Sequence, residues 1–354
     1  MQRFIKVFLI FISLSFAKVF GQSPARDSTK HPNIYPVIYF SPETSLGLGV
    51  TTFKLFHLGD ESRTSNYSLT GLYTLKNQVL VEGITTVFFD HEKWLAKGRV
   101  NLKHFPEYFY GVGEKSTTDN KIITTYSYYN VQGSLYRRIF KGAFLGMQAT
   151  FNDYFNVSFK GPTPGDLIGE NGSRNVGVGA SFLYDGRDNV LNARRGAYTE
   201  LSALVFSKDI GTQYPYNAYV ADFRKYFPIN EKSVFAWQGL GLIKTGNVPF
   251  LQLSYLGGSD IMRGFYSGRY RDKVLLATQI EYRRQLSDEW GVVVFAGLGN
   301  VTAQLKNFDL HNLKNSVGLG GRYMLDKKDR MNLRFDAGVG DGHLNFYVSL
   351  AEAF

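Results

Sequence analysis

The amino-acid sequence predicts an all-β fold, a transmembrane antiparallel β-barrel of about sixteen strands with a long, inward-folded sixth extracellular loop. Three observations carry this expectation. Segments of about 10 to 14 residues alternate apolar and polar side chains, and the polar side carries charges of both signs. The chain opens with an export signal. Long and tight connections segregate to opposite sides when the segments are counted in order.

The alternation is clearest in Val274–Gln285. Val274, Leu276, Thr278, Ile280 and Tyr282 form one side, and Leu275, Ala277, Gln279, Glu281, Arg283 and Gln285 the other. Met331–Gly340 and residues 94–104 repeat the pattern. Successive Cβ atoms of a strand point to opposite sides, so such a segment lies between an apolar and a polar medium. A soluble sandwich also alternates. Strand length, the ionised polar side and the export signal favour a barrel in a membrane.

Composition narrows the chemistry. The 354 residues include no cysteine, so disulfides, thiolate metal sites and cysteine nucleophiles are excluded. The net charge of +10 is spread along the chain, which points to anionic lipid and away from nucleic acid. Beyond the signal, no apolar run approaches the roughly 18 residues of a membrane helix.

In chain order, residues 1–21 read as a signal peptide, with Arg3 and Lys6 before an apolar run at 7–16. Residues 22–34 read as a short periplasmic leader and residues 35–354 as the barrel. The expected strands are 35–42, 45–57, 65–76, 78–90, 93–105, 123–138, 141–155 and 175–185. They continue as 197–207, 216–228, 232–245, 273–286, 290–301, 315–325, 330–340 and 344–354. The long connections 106–122, 156–174, 246–272 and 302–314 fall on one side. The other side has tight turns, apart from 57–64 and 185–196. Trp94, Trp237 and Trp290 are expected in interfacial girdles. In the last strand Leu344, Phe346, Val348, Leu350 and Phe354 share parity. A terminal aromatic on such a strand resembles an outer-membrane sorting signal.

The longest connection, 246–272, carries bulky apolar residues and one cluster, Gly257 to Tyr266, that reads GGSDIMRGFY. Loops of this length are usually functional or disordered. A solvated linker would lack the apolar residues, so the loop is expected to fold into a cavity and place Arg263 there. A guanidinium cannot shed its proton and is costly unpaired in a low-dielectric wall. It should therefore dock on a carboxylate. Glu281 has the right parity on the following strand, Asp336 also faces the polar side, and Asp222 is a weaker candidate.

Several stretches resemble the BamA/TamA outer-membrane assembly superfamily, also called the bacterial surface antigen family. Asp185, Arg187, Asp188 and Asn189 with Gly196 are similar to the family's periplasmic DxRDN…RG turn. Arg263, Gly264 and Phe265 resemble the (V/I)RGF tip of its sixth loop, with Met262 in place of Val or Ile. Glu281-Tyr282-Arg283 and Val294 to Val301 resemble the two strands that follow. The chain end is also family-like. Two departures stand out. Only about a dozen residues separate the signal from the first strand, which resembles short members lacking the periplasmic POTRA array. Gly297 stands where the family usually has an aspartate that pairs with the loop arginine, and Asp336 is expected to take that role.

The resemblance implies a Gram-negative outer-membrane protein that inserts or translocates proteins, or lipids, through a lateral seam between strands 35–42 and 344–354. Pro36 and Pro42 are expected to withhold ladder donors there. The implied partners are outer-membrane lipids and lipopolysaccharide, client outer-membrane proteins and separate periplasmic accessory proteins. No enzyme, cofactor or metal role is expected. Two other readings are a passive pore or structural barrel, and a lipid hydrolase. The nearest hint of the latter is Gly340-Asp341-Gly342-His343, which a hairpin turn explains better. The oxygen-rich turn at 185–196 suits Ca²⁺ in chemistry but not in spacing, and a hydrogen-bonded turn is favoured.

Overall fold

The computed structural model describes residues 33–58, 64–162, 165–327 and 329–354. The expected signal peptide and most of the leader lie outside the described residues. The first strands are β1 (Asn33–Ser41), β2 (Ser45–Phe56), β3 (Ser65–Thr74), β4 (Val79–Phe89), β5 (Trp94–Phe109) and β6 (Ile122–Phe140). Then come β7 (Ala143–Lys160), β8 (Ser173–Asp185), β9 (Gly196–Phe206), β10 (Tyr216–Asn230) and β11 (Ser233–Gly246). A short pair, β12 (Ser254–Leu256) and β13 (Tyr270–Asp272), lies within the long connection. The chain finishes with β14 (Val274–Gln285), β15 (Trp290–Thr302), β16 (Lys314–Asp326), β17 (Met331–Gly340) and β18 (His343–Leu350).

All strands except β12 and β13 close into one antiparallel barrel of sixteen in sequence order, and β18 returns to β1. The outer side is apolar and exposed, as at Val294, Leu298, Leu319 and Phe346. The inner side holds the buried polar residues, among them Gln238, Gln279, Glu281 and Asp336. One residue apart in sequence, these sets face opposite media, which is the alternation read from the sequence.

Apolar clusters also lie inside. Phe88, Leu95, Tyr136, Phe144, Leu183 and Tyr198 form one near the tight turns. Phe109, Ile122, Leu204, Phe206 and Tyr216 form another near the long connections.

Closure is uneven. β17 and β18 are in register from Leu333↔Leu350 to Gly340↔His343, whereas β1 and β18 share the single pair Phe40↔Val348. Each missing rung leaves backbone donors and acceptors for other partners.

Among the boundaries that differ from the sequence reading, three bear on the closure and the site. β5 extends to Phe109, because residues 105–109 pair with Tyr126 back to Ile122 and their aromatic side chains fit a pleated surface. Pro42 lies in the turn beyond Ser41, so only Pro36 is missing a ladder donor, opposite Val50. The last strand stops at Leu350 rather than running to Phe354. Ala351 takes a left-handed φ of 63°, and its N–H bonds to the Asn332 carbonyl at 2.8 Å. The tail then turns in, because the Glu352 carboxylate accepts from Arg322 Nε at 2.8 Å and Asn332 Nδ2 at 2.7 Å. Phe354 is therefore buried with Ala193, Tyr226, Val234 and Ala236, not exposed beside Leu344 and Phe346.

Candidate functional site

The 247–273 connection has structure of its own. Phe250–Gln252 makes a 3-10 turn, and β12 pairs with β13 from Ser254↔Asp272 to Leu256↔Tyr270. Val248, Phe250 and Leu253 pack on Phe109, Leu204 and Tyr216. Leu256, Met262, Phe265 and Tyr270 pack on Leu275, Ala277 and Val301. These contacts explain why a loop carries so many large apolar residues. Each buried methylene contributes roughly 0.8 kcal/mol.

At the tip, Arg263 has no exposed surface. Its Nη2 contacts Glu281 of β14, and its Nη1 lies 2.5 Å from Asp336 Oδ2 of β17. Its guanidinium carbon lies 3.7 Å from the ring centroid of Phe295 on β15, a cation–π position. The carboxylates are shared. Arg283 Nε donates to Glu281 at 2.7 Å, and Arg322 Nη1 donates to Asp336 at 2.6 Å. Arg322 and Arg283 also reach Glu352 of the tail, at 2.8 and 3.9 Å. Arg334 lies 3.6 Å from Asp336 and 3.3 Å from Asp260. Cations and carboxylates thus alternate from the loop tip to the chain end. Sharing of this kind offsets the desolvation of each ion.

The tip backbone is fixed as well. Gly264 has φ +115°, and a Cβ there would meet the Val339 carbonyl carbon at 2.6 Å. Only glycine lets the loop lie this close on β17. Tyr347 of β18 accepts from Gly264 N at 2.9 Å and donates to Phe265 O at 3.1 Å. Asn345 donates to Gly264 O at 2.5 Å. On the other side of the closure, Glu43 in the β1–β2 turn accepts from Ser267 N. Burial raises the Glu43 carboxyl above its usual range, against the bonds from Ser41 and Ser267. The loop therefore touches both β18 and the turn that follows β1.

Met262 and Gly297, which both differ from the family pattern, form one packing unit. A Cβ on Gly297 would meet Met262 Sδ at 2.7 Å and Ser316 Oγ at 3.2 Å. A side chain at 297 would have to displace the Met262 thioether. Met262 fills the place, and Asp336 supplies the second carboxylate. Asp222 takes no part: it binds Arg224 Nη2 at 2.6 Å and Gln238 Nε2 at 2.9 Å.

Arg283 is named above only as part of the family-like strand, and Arg322, Arg334, Glu352, Asn345 and Tyr347 join the site without a motif of their own. Parity was the available signal for the strand residues, since each shares the inward side with Glu281 or Asp336. For Glu352 no signal existed, because the turn at Ala351 is set by tertiary contacts.

The Asp185–Gly196 turn stands apart from Arg263, at the opposite end of the barrel. Its oxygens are taken: Asp185 by Arg187 at 2.8 Å, Asn189 Oδ1 by the N–H groups of Leu191 and Asn192, and Asp188 Oδ1 by those of Arg194 and Arg195. Gly196, with φ +105°, sits against the Gly186 carbonyl. The turn also reaches the β16–β17 turn, through Arg330 to Asp188 at 3.0 Å and Asn189 Nδ2 to Asp329 O at 3.1 Å. Leu191 O accepts from Glu352 N at 3.2 Å. Burial opposes the ionised form of Asp188, but the bonds from Arg194, Arg195 and Arg330 outweigh it and hold its carboxyl below the usual range. At the far end, Asp341 binds Arg269 Nε at 2.9 Å, and His343 Nδ1 lies 2.7 Å from Asp341 O, a local turn contact.

A model of the Omp85 superfamily domain matches residues 55–351. Among solved structures, BamA from Haemophilus ducreyi lacking POTRA domains 1–3 is similar with a TM-score of 0.61 at 13% identity, over 98% of this chain and 78% of that one. CdiB from Acinetobacter baumannii has a TM-score of 0.56 at 11% identity, over 90% of this chain and 59% of that one. CdiB from Escherichia coli has a TM-score of 0.55 at 10% identity, over 94% and 68%. At these identities the likeness is one of fold. No curated protein sequence matches the chain.

Proposed function

The chain belongs to the Omp85 superfamily, and from that premise we propose that it inserts or translocates proteins at the Gram-negative outer membrane through a lateral seam between β1 and β18. The observation that carries this reading is the single registered pair, Phe40↔Val348, at the barrel closure. An open strand edge recruits an incoming strand through its unpaired backbone groups, with side-chain pockets setting selectivity. A client segment would add first to that edge and leave into the bilayer as its own ladder completes.

The 247–273 loop is the inward-folded sixth loop in this reading, and it clamps the seam from inside. Tyr347 and Asn345 hold its tip to β18, and Glu43 holds it to the β1–β2 turn. Arg263 anchors the tip on Glu281 of β14 and Asp336 of β17, not on either strand that must part. Gly264 and Phe265 set its close approach. The Asp185–Gly196 turn and the buried Phe354 close the opposite end and tie the tail of β18 in place.

The test is reconstitution. Proteoliposomes with the purified barrel should speed insertion of a urea-denatured outer-membrane barrel, read as its heat-modifiable folded band. Insertion at the rate of empty liposomes contradicts the proposal.

A further inference from the structure

At the end of the barrel that carries the long connections, a cavity of about 300 Å³ opens between three segments. They are the 110–121 connection after β5, the 247–273 loop, and the turn from β17 to β18. The volume is at the lower end of the range for small-ligand sites. Arg269 ties the segments together and is only 7% exposed. Its Nη1 donates to Ser116 O at 3.0 Å and its Nε to Asp341 Oδ2 at 2.9 Å. Its guanidinium carbon lies 5.0 Å from the ring centroid of Tyr110. Tyr110 and Tyr266 pack edge to face with centroids 5.7 Å apart, and Tyr266 Oη accepts from Tyr108 N at 3.1 Å. These contacts order the walls before any ligand arrives, which lowers the cost of binding one.

Polar groups of the lining are left over. Among the described residues, Arg269 Nη2, the Lys121 amine and the hydroxyls of Tyr110 and Thr118 make no hydrogen bond. Lys121 Nζ lies 4.7 Å from the ring centroid of Tyr108 and has no carboxylate. Acceptors are left over as well. Asn345 Nδ2 is used on Gly264 O, and Asn345 Oδ1 has no donor. His343 Nδ1 lies 2.7 Å from Asp341 O, a carbonyl that can only accept. The neutral ring therefore carries its hydrogen on Nδ1 and leaves Nε2 as an acceptor.

We propose that this cavity binds a saccharide. Each sugar hydroxyl both donates and accepts, and a sugar ring has a C–H face that lies well on an aromatic one. That matches free donors beside free acceptors around Tyr110 and Tyr266. A fatty acyl chain would leave all of these polar groups unpaired. An inorganic anion would use the donors, but its oxygens would face Asn345 Oδ1 and His343 Nε2, and Asp341 already balances Arg269. The saccharide is the glycan of a membrane lipid or a free oligosaccharide. The site does not depend on the insertion activity proposed above.

The experiment is a calorimetric titration of protein purified in lauryldimethylamine oxide, a detergent with no sugar headgroup. The probes are maltotriose and, separately, the deacylated core oligosaccharide of lipopolysaccharide, with inorganic phosphate at the same ionic strength as the anion control. Saturable binding of at least one saccharide is expected. Lys121→Ala and His343→Ala, both at exposed positions, should each weaken it about fivefold. Binding of the core oligosaccharide alone assigns a lipid-borne glycan, and binding of maltotriose assigns a free oligosaccharide. Heat-modifiable mobility verifies that each variant is folded. Absence of saturable saccharide binding, tighter binding of phosphate than of either saccharide, or unchanged affinity in the folded Lys121→Ala/His343→Ala double variant overturns the site.

Discussion

Replacing Arg263 by alanine removes the charged side chain that joins the loop tip to β14, β15 and β17. Taking one partner from a buried ion pair costs about 3 to 5 kcal/mol. Here the lower end applies, because Glu281 keeps Arg283 and Asp336 keeps Arg322. The lost position over Phe295 adds to the cost. About 3 kcal/mol is roughly a 150-fold shift from docked to undocked loop. Limited proteolysis should then cut within 247–273, and the folded band on unboiled gels should convert to the unfolded one at a lower temperature. Arg263→Lys keeps the charge but loses the two-armed fork, so it should fall between wild type and alanine. If the alanine variant shows wild-type protease resistance and wild-type conversion temperature, the loop is held by its apolar packing and the anchoring argument is refuted.

Three further outcomes follow from the same geometry. Gly297→Asp should destabilise the docked loop by striking Met262, and adding Met262→Val should relieve it, with a coupling above about 1 kcal/mol in a double-mutant cycle of loop protection. Additive effects would separate the two positions. Tyr347→Phe removes the group that serves both Gly264 N and Phe265 O, and should raise loop proteolysis by the equivalent of about 1 to 3 kcal/mol without altering the barrel's circular dichroism. Asp188 has a depressed carboxyl pKa, so its contribution is complete above the unfolded value near 3.9 and is lost as pH falls through the lower folded value. Protease access to 186–195 should rise on acidification below about pH 4 in wild type, and Asp188→Asn should show that access already at neutral pH.

The barrel is legible in the sequence because each strand separates two media. In Val274–Gln285, alternation assigns every side chain to one side, and Glu281 falls inward with no tertiary information. The same rule fails for Phe354. Parity presumes a continuing strand, and the chain leaves it at Ala351, where a left-handed residue and the partners of Glu352 decide the path. The short β12–β13 ladder was missed for a related reason: strands of three residues carry no period. The long loop announces itself by its apolar residues and by the arginine of its Gly257 to Tyr266 cluster. That cations from β14, β16 and β17 share the same carboxylates is a product of closure, which brings sequence-distant strands together. The close approach of Met262 to Gly297 likewise appears only once the loop lies on β15.

The central claim is that the β1–β18 closure opens. The chain has no native cysteine, so Phe40→Cys/Val348→Cys places a sole cross-link at the one registered pair. Ala337→Cys/Phe346→Cys, between β17 and β18, is the control. In the proteoliposome insertion assay, the oxidised seam pair should abolish client insertion and reduction should restore it, with the control active in both states. Full insertion by the oxidised, fully cross-linked seam pair would contradict the account.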